Sequence, residues 1–297
     1  MANVIIHLGL HKTGTTSIQY FLRDHRTLIN KYCIEYPLTR EYSLNNINHY
    51  HSRCSLDIAY LSLRQDWSTI VFSCEDILPE IGSNSTALES ISRLASVADK
   101  SDDKIVAIVT LPPSLDILIK RVVMQQSRTH ANCTKGFLLG HIYNYLMSCN
   151  SGITRLRHLG IPITGVRPKT CRETLKTDII RPFIDSLPFI QDQLITEFQK
   201  INTSAYIMNT SSETSRAKGI LYGFVHHALT ELRYNGSWWT EECRLETESF
   251  FKDFTIISPC IEDMLRDLFD DLVSFICSQP HVIAASQALV TTLDELK

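Results

Sequence analysis

Four short apolar segments, all rich in β-branched residues, constrain the fold of this chain more than any other feature of its sequence. Runs of this length and composition are typical of strands buried on both faces of a parallel sheet. Helical patterns separate them, which predicts a three-layer α/β fold with a parallel sheet between helices. The predicted strands are VIIHLG (4–9), TIVFSC (69–74), KIVAIVTL (104–111) and ITGVRP (163–168). The helical patterns cover 15–31, 54–65, 88–97, 114–127 and 137–158.

The later part of the chain differs, because helical patterns dominate after residue 168. A chain of 297 residues is long enough for one large α/β domain with a helical extension. No internal repeat or low-complexity linker interrupts the sequence. We therefore predict a single domain over 1–297, with an α/β core at 1–168 and a mainly helical extension at 169–297.

Composition and charge exclude several classes of partner. A formal net charge of -3 and a sequence pI near 6.4 give the chain no general attraction to nucleic acid or to an anionic membrane. No apolar run approaches the roughly 18 residues needed to span a bilayer, and the first apolar run is typical of a strand rather than a leader. The nine cysteines contain no C-x-x-C pair, so neither a disulfide framework nor a metal site is expected. We predict a cytoplasmic protein, and no pattern indicates an oligomeric state.

The stretch HLGLHKTGTTS, residues 7–17, links the first predicted strand to a helical pattern. At such a junction the helix N-terminus presents free N–H groups and a positive dipole, which favour a bound anion. Gly9 and Gly14 allow the backbone to turn tightly around the anion, and Lys12 supplies positive charge. The hydroxyl groups at 15–17 are also expected to cap the helix. We therefore predict a phosphate-binding loop, whose other candidate binding residues are His11, Thr13, Thr15, Thr16 and Ser17.

The position of the lysine bears on which kind of phosphate the loop binds. A nucleotide kinase or NTPase loop follows the pattern G-x-x-x-x-G-K-[ST], in which the lysine follows the second glycine. Here the spacing from Gly9 to Gly14 fits, but Thr15 stands in the lysine position and Lys12 precedes Gly14. A loop without that lysine is poorly equipped to hold β- and γ-phosphates with Mg²⁺. The kinase interpretation stays open as an alternative, as does a structural turn without a ligand.

The stretch HLGLHKTGTTSIQYFL resembles the 5′-phosphosulfate-binding loop of sulfotransferases, and especially that of the bacterial sulfotransferase-domain proteins. That family uses the donor 3′-phosphoadenosine 5′-phosphosulfate (PAPS), needs no metal and has a P-loop-like fold. The resemblance implies that Lys12 contacts the bridging oxygen of the donor and stabilises the leaving phosphate. Later segments resemble further family motifs in the same order, namely VFSCEDIL (71–78), GVRPKTCRETLKTDIIRPFIDSL (165–187) and IMNTSSETSRAKGILYGF (207–224).

The resemblance implies an enzyme that moves a sulfuryl group from PAPS to a hydroxyl or amine of a small-molecule or carbohydrate acceptor. It also makes residues 1–168 the nucleotide-binding part of the chain. Such a transfer needs a base for the acceptor proton. Glu75 is similar in position to the glutamate that follows a strand and acts as the base in heparan-type sulfotransferases. His49 and His51, in the segment NHYHSR, are the rival candidates, because a free imidazole has a pKa near 6.5.

The chain departs from the family where the 3′-phosphate of the donor is bound. The family places an Arg just after the third strand and a Ser on the following helix. Here those positions hold Leu111 and Ile119, or Pro112 and Lys120, depending on register. Lys120 and Arg121 are the candidates to replace the missing pair, and Arg121 is favoured because a guanidinium can grip phosphate in two places. Three explanations stay open: a substituted 3′-phosphate site, a different donor, or an inactive relative that only binds.

Overall fold

The computed structural model of the chain describes residues 3–10, 13–36, 67–75, 77–83, 85–100, 104–112, 114–129, 135–170, 177–206 and 259–296. Its main strands are β1 (Asn3–Gly9), β2 (Ile34–Glu35), β3 (Thr69–Glu75), β4 (Ile105–Thr110) and β5 (Ile163–Val166). They form one sheet in the order β2-β3-β1-β4-β5, in which every neighbouring pair is parallel. The predicted α/β fold with a parallel sheet is therefore confirmed for the described part of the chain.

The four predicted strands are present with small changes at their ends, whereas the sequence does not predict β2. This strand has only two residues, too few to show a periodic pattern, and it pairs with the start of β3. A separate antiparallel pair consists of β6 (Lys169–Thr170) and β7 (Thr177–Asp178). The sequence signal therefore identifies the long buried strands and misses the short pairings at the margins.

Most of the described helices follow the predicted patterns, but the helix at Ile77–Ser83 is not predicted and one predicted pattern is broken. The pattern at 15–31 predicts one helix, but α1 (Thr15–Asp24) ends before His25 and α2 (Arg26–Asn30) begins after it. The Nδ1 atom of His25 lies 3.0 Å from the carbonyl oxygen of Phe21 and so binds at the end of α1. The pattern at 54–65 lies outside the described residues. The other helices are α3 (Ile77–Ser83), α4 (Ser85–Lys100), α5 (Leu115–Thr129), α6 (Lys135–His158), α7 (Ile180–Asp185), α8 (Asp192–Lys200), α9 (Pro259–Cys277) and α10 (Pro280–Asp294).

Both faces of the central strand β1 are buried. Its residues from Val4 to Leu8 have no exposed surface, so the side chains on both sides of the sheet are covered. On one face, Ile5 belongs to a cluster with Phe21 of α1, Phe183 of α7 and Phe198 of α8. Helices that follow residue 168 therefore contribute to the core around the sheet. Burial on both faces also explains why β1 is largely apolar rather than alternating.

The chain divides into two compact units. The first comprises Met1–Pro113, Leu146–Met208 and Ala288–Lys297 and contains the sheet. In this unit the N–H of Gly165 in β5 donates to the carbonyl of Leu296 at 2.9 Å, so residues near the end of the chain bind the outer edge of the sheet. The second unit comprises Ser114–Tyr145 and Asn209–Gln287, and its described part is helical.

Two further findings concern the described ranges only. No single helix there is long and apolar enough to cross a membrane. One bent pair of helices has the length and composition for it, namely Phe269–Cys277 and Pro280–Asp294, which meet at 78°. In the same ranges, no group of three or more His, Cys, Asp or Glu side chains is arranged to hold a metal ion.

Candidate functional site

The loop between β1 and α1 lies at the carboxyl edge of the sheet, where the direction of the chain connections changes. β1 pairs with β3 on one side and with β4 on the other. The chain leaves β1 toward β2 and leaves β4 toward β5, in opposite directions along the sheet. Open α/β sheets bind their ligands at such a switch point, outside the carboxyl ends of the strands. The fold therefore puts the predicted phosphate-binding loop where a ligand site is expected.

Thr15, the first residue of α1, packs directly onto Gly9 at the end of β1. A Cβ at residue 9 would overlap the Thr15 hydroxyl and lie 2.9 Å from its Cβ, so only glycine allows this approach. The Thr15 side chain is 2% exposed, and its Oγ1 has no hydrogen-bond partner among the described residues. A buried hydroxyl without a partner costs free energy, and in a native protein it calls for an explanation such as a bound ligand or water.

Gly14 precedes α1 as its N-cap and has a left-handed backbone, with φ 98°. A side chain there would be strained, and its Cβ would lie 2.9 Å from Cγ2 of Ile179. The prediction that the hydroxyls of 15–17 cap the helix is wrong, because the helix starts at Thr15 and no described side chain caps it with a hydrogen bond. Since a glycine N-cap carries no side chain, the first-turn N–H groups keep their capacity to bind an anion.

Two buried threonines fasten the loop to the neighbouring strand β4. The Thr13 hydroxyl donates to the Leu10 carbonyl at 2.7 Å and lies 2.7 Å from the Thr110 hydroxyl. The Thr13 N–H also donates to the same carbonyl, at 3.2 Å. No sequence pattern assigns a role to Thr110; its only signal is a polar residue at the end of the apolar strand IVAIVT.

A buried polar cluster joins β1, β3 and α1. The Nδ1 atom of His7 lies 2.8 Å from the Ser73 hydroxyl, and the side-chain amide of Gln19 donates to the Ser73 carbonyl at 3.3 Å. The His7 ring lies 5.0 Å from the ring of Phe183, and all three polar side chains are fully buried. Burial lowers the pKa of His7 from 6.5 to about 3, because it disfavours the charged imidazolium. His7 is therefore neutral at neutral pH and acts as a structural hydrogen-bonding group.

The backbone of Glu75 lies beside the loop. Glu75 is the last residue of β3, and its Cα is paired with that of Gly9. Ser73, two residues earlier, is held by both His7 and Gln19, so this end of β3 is fastened to β1 and α1. The structure thus brings the backbone of the predicted base next to the predicted loop.

Lys120 and Arg121 lie on α5, in the second unit. The Lys120 ammonium is 2.6 Å from Oδ1 of Asp270 on α9, and the two side chains are 40% and 48% exposed. Exposed ion pairs of this kind are worth only about 0–1 kcal/mol, so the ammonium can exchange this partner for another anion at small cost. Arg121 is half-buried. The predicted roles of both residues in binding the 3′-phosphate stay predictions.

The remaining predicted site residues fall into two groups. Thr16 and Ser17 are in the first turn of α1, where Thr16 is half-buried and Ser17 is buried. The others lie outside the described residues, and their roles stay predictions: His11, Lys12, His49 and His51.

Comparison of the chain with known protein families, with curated proteins and with solved structures found no match. The described residues define a class of protein by themselves. It is an α/β protein whose five-stranded parallel sheet carries a glycine- and threonine-rich loop at the carboxyl end of the central strand.

Proposed function

We propose that this protein is a PAPS-dependent sulfotransferase, which moves a sulfuryl group to a hydroxyl or amine of a small-molecule or carbohydrate acceptor. The observation that carries the proposal is the arrangement of Gly9, Gly14 and Thr15 at the start of α1, which we call the anion cradle. A glycine N-cap leaves the ten-residue helix α1 without a described side-chain cap, and a buried hydroxyl beside it has no described partner. Backbone N–H groups and a hydroxyl at a helix N-terminus suit an anionic group such as a phosphosulfate.

The threonine at position 15 supports this proposal over a nucleotide kinase. In a kinase or NTPase the residue after the second glycine is a lysine that reaches the β- and γ-phosphates. Here that position holds Thr15, which is 2% exposed and packed against Gly9. The positive charge is at Lys12 instead, before Gly14. The sulfotransferase resemblance puts a lysine at this position beside the leaving oxygen of a donor that has no γ-phosphate.

In this proposal, different residues bind the donor, stabilise the leaving group and accept the proton. The first-turn N–H groups of α1 and the Thr15 hydroxyl hold the phosphosulfate end of the donor, which supplies the sulfuryl group. Lys12 stabilises the negative charge that develops on the leaving phosphate oxygen. Glu75, at the end of β3, takes the proton of the acceptor hydroxyl, with His49 and His51 as the alternatives for that step.

A second candidate function is a sulfotransferase-like protein that binds a nucleotide without transferring a sulfuryl group. In one register, the positions expected to bind the 3′-phosphate hold Leu111 and Ile119, which are 1% and 2% exposed. In the other register they hold Pro112 and Lys120, whose ammonium is paired with Asp270 at 2.6 Å. Neither register supplies the Arg and Ser of the family, and this departure is the observation behind the second candidate.

Calorimetric titration with adenosine 3′,5′-bisphosphate, the product that PAPS leaves behind, tests the proposal. A sulfotransferase binds this nucleotide in EDTA, because its loop neutralises the donor with N–H groups and lysine rather than with a metal. It also consumes PAPS when an acceptor is present. Binding without consumption of PAPS supports the second candidate. Loss of binding on chelation, together with Mg²⁺-dependent binding of ATP, contradicts the proposal and favours a nucleotide kinase.

A further inference from the structure

No sequence pattern gives Thr110 a role, yet it is buried on the strand next to Gly9 of the anion cradle. It is the last residue of β4, its Cα is paired with that of Gly9, and it has no exposed surface. Its hydroxyl lies 2.7 Å from that of Thr13, a residue 97 positions away in the sequence. This contact connects the loop to a strand on the side of β1 opposite to β3.

The direction of the hydrogen bonds follows from the number of hydrogen atoms. The Thr13 hydroxyl has one hydrogen atom and donates it to the Leu10 carbonyl, which can only accept. The hydrogen atom between the two hydroxyls therefore comes from Thr110. The result is a directed chain from Thr110 through Thr13 to the Leu10 carbonyl, and linked hydrogen bonds of this kind strengthen one another.

The Leu10 carbonyl accepts two hydrogen bonds, one from the Thr13 hydroxyl and one from the Thr13 N–H, so both of its lone pairs are used. A carbonyl oxygen that faced a bound anion would repel it, because the oxygen carries partial negative charge. Because Thr13 occupies this carbonyl oxygen, the oxygen is kept from facing an anion bound at the cradle.

We infer that Thr110 is a positioning residue of the anion cradle. Its hydroxyl donates to that of Thr13, and Thr13 donates to the Leu10 carbonyl and directly precedes Gly14. The inference rests on the proposed function, since it takes the anion cradle to be the donor site. Valine has nearly the shape of threonine, but in place of Thr110 it would deprive the buried Thr13 oxygen of its donor.

The test compares Thr110→Val with Thr110→Ser in calorimetric titrations with adenosine 3′,5′-bisphosphate and with inorganic phosphate. Thr110→Val is expected to weaken binding of both ligands by about tenfold, the effect of one buried hydrogen bond. Thr110→Ser keeps the donor and is expected to restore most of the affinity, which a merely space-filling role would not require. If Thr110→Val does not fold, Thr110→Cys provides the contrast with Thr110→Ser, because a thiol of similar size is only a weak donor.

Thr69 provides the matched control. It is a buried threonine at the opposite end of the sheet, the first residue of β3, and its Oγ1 has no partner among the described residues. Thr69→Val is expected to leave both affinities unchanged. The inference is overturned if Thr110→Val (or Thr110→Cys in its place) binds the ligands as tightly as Thr69→Val does.

The two ligands separate this inference from the proposed function. A wild-type protein that binds phosphate but not the bisphosphate overturns the proposed function, and the Thr110 comparison is then decided by phosphate alone. A wild-type protein that binds neither ligand overturns both.

Discussion

Thr15 packs its side chain onto the backbone of Gly9 so closely that a Cβ at residue 9 would lie 2.9 Å from the Cβ of Thr15 and overlap its hydroxyl. The contact joins the first residue of α1 to the last residue of β1. It also buries a hydroxyl that has no hydrogen-bond partner among the described residues. In a sulfotransferase this contact would bring a hydroxyl and a helix N-terminus together at the phosphosulfate of the donor.

Gly9→Ala should disrupt the anion cradle. The added methyl group overpacks a buried contact, so we expect a loss of about 1–3 kcal/mol in the free energy of unfolding. Affinity for adenosine 3′,5′-bisphosphate should fall by at least about tenfold in calorimetry. Gly140→Ala in α6 is the control, because a Cβ there meets nothing described within 4 Å and alanine favours a helix. Equal affinities in the two variants would show that the contact between Gly9 and Thr15 does not shape a ligand site.

Thr15→Val should separate ligand binding from stability. Valine has the shape of threonine and removes a buried hydroxyl without a described partner, so the free energy of unfolding should stay the same or rise. Affinity for the bisphosphate should nevertheless fall about tenfold, because the ligand loses a hydrogen bond from this hydroxyl. Urea unfolding and calorimetry on the same preparations measure the two effects. A parallel loss of stability and affinity would mean that the hydroxyl serves the fold instead.

Glu75→Gln should remove the base and little else. We expect turnover to fall by roughly 10²–10⁴-fold, because a base contributes about that much to proton transfer. Affinity for the bisphosphate should change little, since the base acts on the acceptor. Steady-state kinetics with PAPS measure the effect, and the changes His49→Ala and His51→Ala should be milder. An inactive histidine variant beside an active Glu75→Gln would assign the base to the histidine.

The free energy of unfolding should decrease in acid because of His7. Its pKa is about 3 in the folded protein, against 6.5 ordinarily. Between these values the unfolded chain binds a proton that the folded chain does not, so this group costs no stability above pH 6.5 and an increasing amount as the pH falls toward 3. The slope from this one group is about 1.4 kcal/mol per pH unit.

Urea unfolding of wild type and His7→Gln at about pH 7 and about pH 5 isolates this contribution. The glutamine amide retains a polar group near Ser73 but cannot be protonated in this range. The variant should therefore lose less stability on acidification than the wild type, whatever its stability at neutral pH. Identical losses in the two proteins would show that His7 is not buried in the neutral form.

Short segments that contain their own signal could be predicted from the sequence. The long strands β1, β3 and β4 are largely apolar, as expected of strands buried on both faces. The edge strand β5, ITGV, is also predicted, although only its Val166 is buried. The spacing of Gly9 and Gly14 is also a local signal, and it predicts the loop. The two-residue strand β2 contains no such signal and is missed.

Features that depend on contacts between distant segments could not be predicted. His7 meets Ser73 across 66 positions and Thr13 meets Thr110 across 97, so no local pattern reports either pair. The capping prediction fails for a related reason. Threonine is a good N-cap in isolation, but here the left-handed Gly14, packed against Ile179 from a distant segment, takes that position.

Consumption of PAPS by wild type and by Lys12→Ala, measured in EDTA with an acceptor present, tests the central claim most directly. Lys12 should matter most when the bond to sulfur breaks, so the variant should turn over about 10²–10³-fold more slowly. Its affinity for the bisphosphate should fall less, because the N–H groups of α1 survive the change. Lys12→Arg should recover only part of the rate, since a guanidinium does not replace a compact ammonium. Full turnover in Lys12→Ala, or no PAPS consumption by the wild type, would contradict the claim that this loop serves sulfuryl transfer.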